Sequence, residues 1–329
     1  MRMLTELSRR ALGRYHCFSA VAQQRGTFAA AALLLAASAC HSAADNRSHT
    51  VEVSTLDLHH FVQAYKTLNP ADSTCRGLST YFASATIGLK RYEKKFDMGP
   101  SDLCHAIRRA PRGYSSLESK MPAFDAAQAS IDSAFAALRS VYPPAVFPSV
   151  YIVVGDGISG GTSLRTEPPT VLVGAELTDS PSGLQLMVSH ELAHAQQQYP
   201  WWKLLGAGPS FIRGTLLAQC IKEGSADFIA QLITGKQPGS QRNLYALAHE
   251  HELWKQFRQD MHGTDYSRWL YNGGSVAYGV PTDLGYWIGY RITKSYYDKA
   301  PDKAKAVNAI FHIRDFDSFL VESGYNPGA

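Results

Sequence analysis

The sequence predicts an α+β protein that is mainly helical and contains one small β-sheet. Two observations lead to this prediction. Apolar residues recur at helical spacing before residue 142 and again after residue 180. Between these regions, two short segments rich in β-branched residues, 149–154 and 170–173, flank a glycine-rich turn. The sequence contains no internal repeat or low-complexity tract, which argues against a solenoid or a disordered scaffold.

The region 55–145 is predicted to be helical. Its first helix has an apolar face made by Leu58, Phe61, Val62 and Tyr65. Asn69-Pro70 ends that helix. Further helices are predicted near 78–97, 101–109 and 122–141. The pattern is interrupted by Tyr142-Pro143-Pro144, so we place a boundary there and assign 146–329 to a second region.

The second region is predicted to be mostly helical after its two strands. Ser180 is a helix N-cap and Pro181 occupies the first helical position, so a helix should begin there. We expect this helix to run to about Tyr199, before Pro200. Later helices are predicted near 215–234, 243–259, 283–297, 303–312 and 317–323.

The first forty residues differ in composition from the rest. They carry five arginines and one glutamate, followed by an apolar stretch, 27–39, that is too short to cross a bilayer. Small residues directly before Cys40 give this stretch an end that resembles a bacterial lipobox. We therefore expect a signal peptide over 1–39, a lipidated N-terminus at Cys40 and a linker to residue 54. In the alternative, an ordinary signal peptide is cut after Ala39 and Cys40 has no role.

This leader also accounts for the positive charge of the chain. The formal net charge is +4, and five arginines against one glutamate leave with residues 1–39, so the mature protein is close to neutral. A nucleic-acid partner is therefore not indicated. We expect an exported periplasmic or cell-envelope lipoprotein that touches the membrane through its lipid anchor only. The oligomeric state is left open.

Cys75 and Cys104 are candidates for a disulfide bond, because an exported protein folds in an oxidising compartment. Two separate buried thiols are the alternative, since a sequence does not fix cysteine connectivity.

The strongest chemical signal is the segment His190-Glu191-Leu192-Ala193-His194. On a helix, the two histidines are four residues apart and share a face, so both imidazoles can reach one cation. Imidazole nitrogen is a preferred ligand of Zn²⁺, and Glu191 at the edge of that face can act as a general base toward water at the metal. Neighbouring apolar residues indicate that the helix is buried rather than a solvated surface helix.

A second pair of candidate residues, Glu223 and Asp227, follows on another apolar helix. They are also four residues apart, so one can bind the metal while the other orients a ligating imidazole. We expect Gly224 and Ala226 to let this helix approach the histidine helix closely. Two buried acids and two buried histidines are better explained by one metal site than by separate coincidences.

The motifs resemble those of gluzincin zinc metallopeptidases, in which HExxH is followed by a glutamate on the next helix. The closest resemblance is to the predicted zinc-dependent protease family of unknown function and its gliding-motility lipoprotein relatives. It rests on HELAH at 190–194, EGSAD at 223–227 and the glycine–tyrosine segment 285–290. The resemblance implies that 146–329 is a zincin-like catalytic domain.

The resemblance also implies a site. His190, His194 and Glu223 would be the Zn²⁺ ligands, Glu191 the general base and acid, and Asp227 a partner that orients a ligand. The segment between His194 and Glu223 is longer than in gluzincin aminopeptidases, and the G-x-M-E-N motif for binding an amine is missing. An aminopeptidase specificity is therefore not supported.

An oxyanion stabiliser and a substrate-binding strand are less well defined. Tyr286 or Tyr290 could stabilise the oxyanion, because each lies on a glycine-flanked helix that could pack near the metal. In the alternative, both are core aromatics, and Gly285 and Gly289 only permit close helix packing. The strand at 170–173 is either an edge that pairs with a substrate backbone or an ordinary sheet strand.

The leading hypothesis is a zinc peptidase, an endopeptidase acting on proteins or peptides outside the cytoplasm. The main alternative is a catalytically idle zinc-binding envelope lipoprotein that serves as an assembly or interaction partner. Glu191 favours the peptidase, since a structural zinc site needs no base. Hydrolysis of a non-peptide amide or ester is a third hypothesis.

Overall fold

The computed structural model of the chain describes residues 51–69, 72–178, 180–199, 214–272 and 279–328. The predicted signal peptide, Cys40 and Pro200 lie outside the described residues. Among the residues described, no helix is long and apolar enough to span a membrane.

A four-stranded sheet forms the β-part of the fold. Its strands are β1 (Val53–Ser54), β2 (Ser149–Val153), β3 (Gly161–Leu164) and β4 (Thr170–Gly174). The order is β1-β2-β4-β3, in which β1, β2 and β4 are parallel and β3 is antiparallel to β4. The predicted α+β class is confirmed, and β2 and β4 are the two predicted strands.

The position of β4 corrects one interpretation. β4 is buried along its whole length and pairs with β2 on one side and β3 on the other. It is therefore an internal strand and is not an edge that a substrate could join. The outer position beside β4 belongs to β3, a strand that begins within the glycine-rich turn and was not predicted.

In the described part of the chain, seven α-helices precede β2. They are α1 (Leu56–Lys66), α2 (Ser79–Ala83), α3 (Ile87–Phe96), α4 (Pro100–Arg109), α5 (Pro111–Ser115), α6 (Leu117–Asp125) and α7 (Gln128–Val141). The predicted helix near 78–97 is broken because the Thr86 side chain caps α3 by accepting the Gly88 N–H. The buried carboxylate of Asp57 accepts the N–H groups of Thr86 and Leu89 and fixes this break.

These helices belong to the same compact unit as the rest, which extends from His49 to Ala329. β1 joins the sheet beside β2, and the Gly88 backbone of α3 lies directly against the Tyr151 side chain of β2. Cys75 and Cys104 form a disulfide with their Cα atoms 5.8 Å apart, so the disulfide alternative is the one observed. The bond ties the segment before α2 to α4.

Seven α-helices are described after β4. They are α8 (Pro181–Gln196), α9 (Leu216–Thr234), α10 (Ser240–Ala248), α11 (Glu250–Asp260), α12 (Leu284–Lys299), α13 (Lys303–Phe311) and α14 (Phe316–Ser323). The predicted start of α8 is confirmed, since Ser180 accepts the Gly183 N–H at 3.1 Å. The predicted helix near 243–259 is two helices that meet at His249, whose ring stacks on Tyr245 and bonds to its carbonyl.

The backbones of α9 and α12 lie directly against each other. A Cβ atom at Gly289 would lie 1.7 Å from the carbonyl oxygen of Cys220, and one at Gly224 would lie 2.0 Å from the backbone nitrogen of Tyr290. The predicted packing role of Gly289 is therefore confirmed. The prediction that Gly224 faces the histidine helix is wrong, because this glycine contacts α12 instead.

Candidate metal centre

The two histidines of α8 form the centre of the site. One helical turn separates them, and their Nε2 atoms lie 2.9 Å apart with the rings nearly perpendicular. Both side chains are largely buried, at 13% and 10% exposure. The four-residue spacing therefore brings two ligand atoms to one point, as the sequence predicts.

Glu223 of α9 brings a carboxylate to the same point. Its Oε2 lies 3.1 Å from Nε2 of His194 and 3.4 Å from Nε2 of His190. Ligand atoms bound to a tetrahedral Zn²⁺ are roughly 3.3 Å apart, so these three atoms have the separation that one ion requires. Glu191 is also near, because donor atoms of His190, Glu191 and His194 lie within 4.8 Å of one another. Glu223 is the closer carboxylate and the better candidate ligand.

Hydrogen bonds on the far side of each ring fix the imidazole orientation. Nδ1 of His190 lies 2.9 Å from Oδ1 of Asp227, and Nδ1 of His194 lies 2.8 Å from Oε1 of Gln197. These oxygens can only accept, so each Nδ1 donates a hydrogen and Nε2 of each ring is the nitrogen turned toward its neighbours. The two Nε2 atoms and the carboxylate oxygen therefore form a converging set of electron-pair donors that one cation can bind. The residues therefore fit a zinc ion.

The charges around the site also favour a cation. Burial by itself would lower the pKa of His190, but its hydrogen bonds with Asp227 and Glu223 outweigh burial and raise that pKa to about 10. Burial opposes ionisation of Glu223 and Asp227, yet nearby positive groups, above all Lys222 and Arg242, hold the pKa of both carboxyls below its usual value. The negative charge of these two carboxylates, which favours a proton on His190, also favours a metal ion at its Nε2.

Glu191 lies on the wall of the cavity that opens onto these ligands. Its side chain is buried against Gly161 of β3, where a Cβ atom would lie 2.9 Å from Cγ and 3.0 Å from Oε1 of Glu191. A glycine at 161 therefore leaves room for this carboxylate between α8 and the edge of the sheet.

The cavity has a volume of about 950 Å³, which is ample for a peptide segment. β3 and the turn before it form one wall, and α8, α9 and the start of α12 form the others. Besides the ligands and Glu191, its lining includes Ile158, Thr162, Met187, Arg165, Tyr271 and Tyr286.

The two tyrosines predicted to stabilise the oxyanion lie in different places in the structure. Tyr286 lines the cavity, with its ring centroid 6.1 Å from that of His190. Tyr290 is buried on another face of α12, where its hydroxyl bonds to Gln231 and its ring packs against Phe228 and Trp287. Of the two, only Tyr286 lies at the site.

Three residues at the site were missed from the sequence. Gln197 orients His194 and is held by the carbonyl of Lys222 at 2.8 Å. Arg242 of α10 bonds to Asp227 Oδ2 at 2.7 Å, and the Tyr271 hydroxyl bonds to Glu223 Oε1 at 2.7 Å. Gln197 had a signal, since it lies three residues after His194 near the same helical face. Arg242 and Tyr271 follow their partners by many residues and belong to no recognisable pattern.

A helical α+β fold in which HExxH histidines converge with a glutamate of the next described helix defines a metal-site protein of the HExxH class. Residues 144–311, about half of the chain, match the family model described as Predicted Zn-dependent protease (DUF2268), and the chain belongs to this family. Zinc is the cofactor that this description names, and the group around His190, Glu191 and His194 could hold it. No curated protein and no solved structure matches the chain. A closer relation to gluzincins or to gliding-motility lipoproteins stays a prediction.

Proposed function

We propose that this protein is a zinc-dependent endopeptidase with a gluzincin-like site. The observation that carries the proposal is the meeting of His190 Nε2, His194 Nε2 and Glu223 Oε2 within 3.4 Å, beside the carboxylate of Glu191 and an edge strand. A structural zinc site has no need of a base or of a cavity of this size.

The residues divide the chemistry of peptide hydrolysis among them. His190, His194 and Glu223 would hold zinc, which when bound polarises a carbonyl group and makes a water molecule acidic enough to lose a proton near neutral pH. Glu191 accepts that proton and then donates it to the leaving amine nitrogen. Tyr286, which lines the cavity with its ring centroid 6.1 Å from that of His190, can donate a hydrogen bond to the developing oxyanion.

The edge strand β3 supports a peptide as the substrate. Gly161–Leu164 pairs with β4 along one side, and β3 is last in the strand order. An extended peptide can add to its other side through backbone hydrogen bonds, which require no free terminus. This mode of binding would favour cleavage within a chain, and the closeness of Glu191 to Gly161 supports a scissile bond beside Glu191.

The decisive experiment compares wild type with Glu191→Gln. The purified proteins are assayed for bound zinc and for cleavage of an unstructured protein and of internally quenched peptides. We expect both to bind one zinc ion, and the variant to lose at least about 100-fold in cleavage rate, since general base catalysis contributes that much. Equal rates in the two proteins would refute the role of Glu191.

A catalytically idle zinc-binding envelope protein is the second candidate function. It predicts full zinc occupancy without cleavage of any peptide by either protein. Cleavage of ester or amide substrates, without cleavage of peptides, would instead favour the non-peptide hydrolase.

We further propose that the protein is exported and anchored in the cell envelope through Cys40. The support is the sequence of the leader alone. Intact mass measurement of the membrane-bound protein should show the N-terminus at Cys40 with attached acyl chains. Cys40→Ser should abolish acylation, and unchanged acylation in this variant would exclude Cys40 as the anchor.

A further inference from the structure

The two oxygens of the Glu223 carboxylate have different partners. Oε2 faces the Nε2 atoms of His190 and His194. Oε1 accepts a hydrogen bond from the Tyr271 hydroxyl at 2.7 Å and lies 3.2 Å from Nζ of Lys222. One oxygen is thus turned toward the metal position, while the other is occupied by donors from the protein.

The backbone at Tyr271 is held in an unusual conformation. Its φ is +57°, in the left-handed region that large side chains rarely adopt. The preceding residue, Leu270, is buried, and the following residue, Asn272, accepts the Asp283 N–H at 2.8 Å. Neighbours on both sides therefore hold Tyr271 in place.

Burial of the aromatic ring does not account for this conformation. Tyr271 is 58% exposed, yet its hydroxyl reaches a carboxylate that is 4% exposed. The contact that gains from the conformation is therefore the hydrogen bond to Glu223, a charge-assisted bond in a site largely shielded from water.

We propose that Tyr271 is a positioning residue for the metal ligand Glu223. Its hydroxyl holds Oε1 so that the carboxylate presents Oε2 alone to the cation shared with the two histidines. Without this donor, Lys222 is the one remaining partner of Oε1 among the described residues; its side chain is 32% exposed, and the carboxylate can rotate away from the histidines. This inference rests on the proposed zinc site and is independent of whether the protein cleaves peptides.

The direct test is the zinc affinity of Tyr271→Phe. Zinc is removed with a chelator and the metal-free protein is titrated against a chromogenic zinc indicator. Loss of a partner that orients a ligand typically weakens metal binding about 10- to 100-fold, and we expect a weakening in that range. The substitution keeps the ring and the backbone, so circular dichroism of the metal-free variant should show the wild-type fold, with a thermal midpoint lowered only by the loss of one hydrogen bond.

Tyr286→Phe is the matched control for zinc affinity. Tyr286 lines the same cavity and its ring is perpendicular to that of Tyr271, with centroids 6.4 Å apart. Within the described part of the chain, its hydroxyl makes no hydrogen bond to Glu223. This variant should therefore bind zinc like wild type, whatever happens to hydrolysis.

A double-mutant cycle shows whether Tyr271 acts through Glu223. In a Glu223→Ala background, where zinc binding by the histidines is already weaker, Tyr271→Phe should cause no further loss. The proposal is overturned if Tyr271→Phe leaves zinc affinity unchanged or raises it, or if the loss is as large without Glu223. A variant that keeps its zinc affinity but loses hydrolysis would make Tyr271 a catalytic residue instead. Failure of the peptidase proposal alone would leave the zinc titrations unaffected.

Discussion

Two charged residues in succession, one on α9 and one on α10, orient the His190 ring. Its Nδ1 bonds to Oδ1 of Asp227, and Oδ2 of Asp227 bonds to Arg242. Arg242 also lies over the ring of Tyr286, 5.1 Å from its centroid. An arginine from α10 therefore orients the Asp227 carboxylate, and this carboxylate in turn sets the direction of the His190 ring and the proton on its Nδ1.

Asp227→Asn should weaken zinc binding. The amide is uncharged and can turn its NH₂ group toward Nδ1, which would favour the tautomer that places the proton on Nε2. We expect the zinc dissociation constant to rise about 10- to 100-fold. The matched control is Asp125→Asn, because Asp125 also pairs with a histidine, His59, at 2.9 Å, and neither residue lines the cavity. An Asp227→Asn protein that binds zinc as tightly as the control would contradict this role.

For individual residues of the site, the sequence predicts pairs that lie on one helix but not pairs that come together only through tertiary packing. His190 with His194, and Glu223 with Asp227, are visible because a four-residue spacing is a local property. Tyr271 and Arg242 reach the site only through the packing of distant segments. Their partners cannot be derived from any local pattern.

The contact between α9 and α12 determines where Glu223 lies. The two backbones touch at Gly289, so α12 can hold α9 closely while Tyr286, one turn earlier, lines the cavity. A side chain at this contact would push apart two helices that both contribute to the site.

Gly289→Ala should therefore destabilise the fold strongly. The added Cβ would meet the backbone carbonyl of Cys220, which cannot move aside as a side chain could. We expect a loss of about 3 kcal/mol or more in the free energy of unfolding, measured with urea. Gly113→Ala in α5 is the control, since its Cβ would meet nothing nearer than 3.5 Å. Equal stability of the two variants would show that the helices are not in contact here.

The turn between β2 and β3 is held by a buried carboxylate. Glu176 accepts the N–H groups of Gly155 and Gly157, at 3.0 and 3.2 Å, just before the segment that lines the cavity. Burial raises the pKa of Glu176 from 4.5 to about 7. The pKa of Glu176 is thus higher in the folded protein than in the unfolded chain. Its contribution to the free energy of unfolding is therefore fully present below pH 4.5 and is lost as the pH rises through about 7.

Glu176→Gln should remove this pH dependence of stability, because an amide side chain does not titrate. Unfolding free energies of metal-free wild type and variant are compared between about pH 5 and pH 8. Wild type should lose about 2–3 kcal/mol relative to the variant as the pH rises across this range. The metal-free proteins exclude zinc release as the cause. A constant difference at every pH would mean that Glu176 does not titrate in this range.

Sequence predicts the long elements well and the short ones poorly. β2 and β4 are apolar and β-branched, and the start of α8 has both a cap and a proline. β3 reads Gly-Thr-Ser-Leu, which has no apolar alternation, and becomes a strand only because it pairs with β4. The break at Thr86 depends on Asp57, which lies 29 residues earlier in the chain.

The whole described unit, and not the matched segment alone, builds the cavity. The family match begins at residue 144, but β1 and α3 pack against β2 from the region before it, and Lys95 of α3 lines the cavity. Sequence predicts this helical region correctly. Its part in the site could not be predicted, because contact between helices and sheet depends on the complete tertiary arrangement.

The proposed function requires that this fold bring His190, His194 and Glu223 to one zinc ion. Anomalous diffraction at the zinc absorption edge, from crystals of the zinc-loaded protein, would locate that ion. We expect a single strong peak about 2.0–2.2 Å from Nε2 of each histidine and from Oε2 of Glu223. A peak elsewhere, or Glu223 turned away from an ion bound by the histidines, would contradict it.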